Sequence, residues 1–115
     1  MTVVPAALLP WQFVLVRGVS MLPTLREGDR VLVRHGARIR PGDVVLARFA
    51  DLPDRLVLKR AERRVAGGWW VGSDNAAVGG DSGTHGPAEV LARVVARLPE
   101  GAYLPRRICR IAPPS

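Results

Sequence analysis

Hydrophobic and polar positions alternate along this chain in short bursts, each ended by Gly, Pro or Asp, and that rhythm predicts a succession of β-strands. The candidates are Trp11 to Val16, Arg30 to Arg34, Asp43 to Phe49, Leu56 to Val65 and Trp69 to Val71. Between them, Glu27-Gly28-Asp29 and Pro41-Gly42-Asp43 place a glycine just before an acidic residue, a combination that reverses the chain tightly. From Ser73 to Pro87 the periodicity lapses into a Gly- and Asp-rich segment, expected to be a surface loop, long for so small a chain and of the kind that often carries function. Residues 87–98, PAEVLARVVARL, fit two patterns, because Pro87 suits the first residue of a helix whereas Leu91 to Leu98 can alternate as a strand. One helical turn followed by a strand is the expectation there.

Length makes this pattern one domain: 115 residues leave no room for a second folded unit. The expected class is mostly β, with residues 1–105 as the domain and residues 106–115 as an Arg/Pro-rich tail. The last dozen residues carry three prolines and three arginines. A single cysteine, Cys109, rules out an intramolecular disulfide, and two histidines with one thiol make a poor zinc set. No metal and no cofactor are expected, and a reducing, cytoplasmic setting is the simpler one, with peripheral association at a membrane as the alternative. No apolar run reaches the length of a membrane-spanning helix; residues 1–16 come nearest but are broken by Pro5, Pro10 and Gln12, and read as an arm entering the first strand. The formal charge of +7 raises nucleic acid as a partner, yet the arginines are dispersed without interleaved aromatics, which points to a solvated basic surface.

Candidate chemistry begins at residues 16–34, VRGVSMLPTLREGDRVLVR, where Ser20 follows a glycine-containing turn. Gly18 would let backbone approach a substrate strand, Met21 would offer an apolar floor, and Pro23 would stiffen the turn that holds Ser20. A second candidate comes from composition. Of 17 Lys plus Arg, only Lys59 is lysine. Arginine stays protonated at any ordinary pH, whereas a lysine in apolar surroundings can lose its proton and act as a base. Lys59 lies in such a run, Leu56-Val57-Leu58-Lys59-Arg60, and strand alternation puts it on one face with Val57. His35, in an Arg-Gly turn, is expected to be exposed. A triad of Ser20, His85 and Asp81 can be assembled on paper, but there is no GxSxG elbow to support it.

The string SMLPTL, followed by a Gly-Asp turn and an apolar strand, resembles the nucleophile box of type I signal peptidases and their relatives, and Lys59-Arg60 after an apolar strand resembles the family's lysine box. Ser73-Asp74-Asn75 and then Asp81-Ser82-Gly83 look like the family's GDN and DSR-x-x-G pattern, with Ser73 in place of Gly, Gly83 in place of Arg, and Gly79 where many relatives have a serine that bonds the lysine. The resemblance implies a signal-peptidase/LexA-like β-rich catalytic domain in which Ser20 attacks and Lys59 is the general base. It further implies an oxyanion donor at the Ser20 amide, with Gly18 where relatives often carry a second donor. Substrate would lie along Gly18, Ser20, Met21 and Pro23, and Arg60, Asp74, Asn75, Asp81 and Ser82 would give structural support. Asp81 is expected either to pair with Arg60 or to sit in an exposed turn, and Asp74 and Asn75 to shape their loop by side-chain to backbone bonds. The ARIRPGDVVLAR turn, the GGWWV strand and the DS-x-x-x-GP loop look most like the proteases that mature nickel-type superoxide dismutase by removing a leader. The implied partner is thus a precursor protein or its leader peptide. The alternatives are a signal-peptidase-like protease acting on secretory signal peptides at a membrane, and a self-cleaving or non-catalytic LexA-like peptide-binding domain.

Overall fold

A computed structural model describes residues 10–99 and, for the backbone alone, 109–111. The strands are β1 (Trp11–Leu15), β2 (Arg30–His35), β3 (Val44–Phe49), β4 (Val57–Val65), β5 (Gly68–Gly72), β6 (Ala88–Leu98) and β7 (Cys109–Ile111), with one short helix, α1 (Ser82–His85), between β5 and β6. The five strands expected from alternation are all present, each within a residue or so at its ends. The stretch around Pro87 differs, since residues 88–98 are strand throughout and the single helical turn falls before Pro87. A proline that opens a strand sacrifices no ladder bond, and Ala88 pairs at once with Phe49 and Trp69. The segment expected as a loop is irregular apart from α1. Within the Arg/Pro-rich tail, 109–111 pair in parallel with Phe13–Leu15 of β1; residues 106–108 and 112–115, like most of the N-terminal arm, lie outside the described residues.

The sheet runs β3-β4-β5-β6-β2-β1-β7, and an additional β3–β6 pairing lets β3, β4, β5 and β6 close on one another. Strand β6 links the two parts of the sheet: at Ala92 and Arg93 it pairs with both β2 and β3. Two core clusters result. Val14, Val16, Met21, Leu25, Val31, Val33, Leu46, Leu58 and Ala92 form the first. The second, inside the closed strands, holds Val45, Ala47, Phe49, Val57, Ala61, Trp69, Val71 and Ala88. Trp69 thus belongs to the core, whereas Trp70 is half-buried, with the Arg63 guanidinium stacked over its ring at 5.0 Å.

The two expected turns share one geometry. In Arg26-Glu27-Gly28-Asp29 and in Arg40-Pro41-Gly42-Asp43 the aspartate amide donates to the arginine carbonyl, at 3.0 and 3.1 Å, and the arginine amide donates back to the aspartate carboxylate, at 2.9 and 2.8 Å. Gly28 (φ 95°) and Gly42 (φ 97°) hold the left-handed conformation that such turns require and other residues resist. The first turn ends the segment carrying Ser20. The second sets β3 beside β4, so that Val45 pairs with Lys59.

Candidate active site

The segment that carries Ser20 is pinched at its base, where the Val16 amide donates to Asp29 O at 2.8 Å and the Gly28 amide donates to Val16 O at 3.0 Å. Inside this loop the Leu25 amide reaches Met21 O at 2.9 Å, and the Leu22-Pro23 peptide is cis. Ser20 is 1% exposed, between an exposed Val19 and a Met21 that is 2% exposed. Met21 is part of the first core cluster, a placement compatible with the apolar floor expected of it. The Gly18 amide is engaged by the Glu27 carboxylate at 2.9 Å.

Lys59 is 0% exposed. Its chain neighbour Leu58 packs into the first cluster, while Val57 and Ala61, two residues away on either side, pack into the second. Releasing a lysine's proton at pH 7 costs roughly 5 kcal/mol, and an ammonium withdrawn from water loses several kcal/mol of hydration, so the two terms are comparable. Burial accordingly lowers the pKa of Lys59, partly opposed by the negative charge of Asp81. Lys59 Nζ donates to Ser73 Oγ at 3.0 Å.

Three consecutive residues after β5 bring the two segments together. Ser73 bonds the Lys59 amine; Asp74 bonds Arg60, the next residue of β4, and Thr24 in the Ser20 segment; Asn75 donates from its amide to Ser20 O at 2.9 Å and from Nδ2 to Val19 O at 3.0 Å. Arg60 holds Asp74 with both arms of its fork, Nη2 to Oδ2 at 2.6 Å and Nε to Oδ1 at 3.1 Å, and gives Nη1 to Gly42 O at 2.8 Å. The partner of Arg60 is thus Asp74, not Asp81. Asp74 bonds side chains where backbone groups were expected, and Asn75 shapes the loop as anticipated, accepting also from the Ala77 amide at 3.0 Å. Hydrogen bonding to Arg60 lowers the pKa of Asp74, and the same bond raises that of Arg60. Stability from the depressed carboxylate is complete above the unfolded value of 3.8 and is lost as pH falls through the lower folded value. Asp74→Ala, which strands a partly buried guanidinium, is expected to cost about 1–2 kcal/mol at pH 7, read as a lower urea midpoint.

Asp81 caps α1, accepting from the Gly83 amide at 3.0 Å, and Ser82, 1% exposed, accepts the Val71 amide at 2.8 Å. Both support β5 and the loop. His85 is committed elsewhere, with Nδ1 2.7 Å from Asp51 and its ring 4.8 Å from that of Phe49, so no triad with Asp81 forms. His35 is half-buried rather than exposed, and its Nε2 lies 2.7 Å from Gln12 Oε1. Among the described residues no group of three His, Cys, Asp or Glu side chains could hold a metal, and no helix is long and apolar enough to cross a membrane.

Sequence reasoning missed Ser73 and Thr24 as site residues. Ser73 left one signal, its departure from the glycine of the resembling pattern; its place beside Lys59 follows only from the β4–β5 register, whose last pair is Arg60 with Gly72. A search of curated proteins finds no match to the chain. The sequence model of Peptidase S24-like proteins matches residues 10–95, which span both candidate segments and the loop that ties them, and the chain therefore belongs to this family of serine peptidases.

Proposed function

We propose that the protein is an endopeptidase in which Ser20 is the nucleophile and Lys59 the general base. The observation that carries this reading is the chain's single lysine, wholly buried at Lys59, tied through residues 73–75 to the segment of a nearly buried Ser20. A neutral amine there takes the Ser20 hydroxyl proton as Oγ bonds to the substrate carbonyl carbon, and the carbonyl π electrons move onto oxygen. Collapse of that intermediate expels the amine, which leaves with the proton returned by Lys59. Lys59 then deprotonates a water that attacks the acyl carbonyl, and returns that proton to Ser20 Oγ as the ester C–O bond breaks. The Ser20 amide supplies an oxyanion donor, and the Asn75 bonds to the Ser20 and Val19 carbonyls fix the orientation of that peptide. Substrate binds as an extended segment beside the exposed Val19.

The substrate is the leader of a nickel superoxide dismutase precursor. This rests on the resemblance of three segments: the Arg40-Pro41-Gly42-Asp43 turn, the GGWWV strand that becomes β5, and the loop capped by Asp81. Incubation of purified protein with a leader-bearing precursor is expected to release the leader at one bond, seen by intact mass, while Ser20→Ala leaves the precursor whole. Cleavage of secretory signal peptides with no effect on that precursor would reassign the substrate.

A further inference from the structure

We propose that Ser73 is the positioning residue of Lys59, holding one amine hydrogen so that the Nζ lone pair is presented to the Ser20 hydroxyl. The inference rests on the Ser20/Lys59 reading for its catalytic meaning, but its geometry stands apart from that reading. Ser73 Oγ accepts from Nζ at 3.0 Å, and both residues directly adjoin the Arg60–Gly72 pair that ends the β4–β5 ladder. A neutral amine has two hydrogens and one lone pair, and in a buried site its orientation is set by whatever accepts those hydrogens. Gly80 also comes near the amine. A Cβ built at Gly79 meets nothing within 4 Å, and one at Gly80 comes to 4.0 Å of Nζ from a backbone with φ +84°, which other side chains rarely adopt. The Gly79-Gly80 pair brings no hydroxyl to the lysine, and Ser73, at the place where the resembling pattern carries glycine, supplies one from just beyond the end of β5. The charged groups around the amine are Asp81, whose field favours the ammonium, and the neighbouring Arg60–Asp74 pair, which is neutral as a unit.

The chain's composition provides a test without a substrate. Lys59 is the only lysine, so protein grown with lysine labelled with carbon-13 at Cε gives one lysine signal whose pH titration reads this amine alone. A hydrogen-bond acceptor favours the charged form, so Ser73→Ala is expected to move the midpoint down by about one unit, and Ser73→Thr, which restores a hydroxyl, to return it to within a few tenths. On a cleavable precursor Ser73→Ala should lose about tenfold to a hundredfold in kcat with KM within about twofold, and the acidic limb of its pH profile should shift down with the NMR midpoint. Ser73→Thr should recover most of that rate. A midpoint unmoved in Ser73→Ala overturns the assignment, as does a loss of rate that Ser73→Thr fails to recover while folding as wild type. The underlying mechanism fails by a different result, full activity in Ser20→Ala or Lys59→Arg, so the two failures are distinguishable.

Discussion

Lys59→Arg is expected to be as inactive as Ser20→Ala, with kcat lower by about a thousandfold or more on a cleavable precursor. The substitution keeps a positive charge and nearly the same length, so any role that needs only a cation would survive it. The proposed step needs an amine that can be neutral, and a guanidinium with a pKa above about 12 is never neutral at working pH. The burial that makes lysine usable also makes arginine unsuitable. At a position that is 0% exposed, a lysine can discard its charge, whereas an arginine has to carry its charge into the core. Because that cost can also unfold the protein, the comparison includes Lys59→Met, which removes base and charge together, and circular dichroism establishes that each variant is folded. Lys59→Arg or Lys59→Met retaining activity within a few-fold of wild type would remove Lys59 from the mechanism.

What the sequence made legible follows from which interactions are local. Short apolar bursts reported the strands because each contributes buried residues to one or both core clusters, and the turns at 27–29 and 41–43 were visible because their bonds join residues three apart. Residues 88–98 were harder, since their local pattern resembles a helix as much as a strand; only the partners β2 and β3 decide. Lys59 stood out by composition, and burial agrees with the reason given for it. The partner of Arg60 was beyond local reasoning, because Asp74 and Asp81 lie on one loop and only its path past Thr24 selects the first. Ser73 was hidden by a bulge between Ala61 and Arg63, which shifts the β4–β5 register by one residue and determines what faces Lys59.

The same burial predicts that Lys59→Met makes the protein more stable while making it inactive, with a gain of about 1–2 kcal/mol at pH 7 in urea denaturation. Burial holds the folded pKa of Lys59 below the 10.5 of an exposed lysine. Between those two values the unfolded chain binds more protons than the folded one, so wild-type stability rises with pH through that window. Below the lowered value the penalty for burying the amine is present in full, and above 10.5 it is gone. Methionine has similar length and no charge, so it carries no such penalty at this buried position. Two losses act against the gain: Ser73 Oγ no longer accepts from Nζ, and Asp81 loses a nearby cation. Both groups can be compensated, Ser73 being half-buried and Asp81 already bonded to the Gly83 amide. The advantage of the variant is therefore expected to be greatest at neutral pH and to shrink as pH approaches 10.5, where the wild-type lysine is neutral in both states. A variant no more stable than wild type at any pH between about 6 and 10 would show that the fold bears no cost for this lysine, contrary to its complete burial.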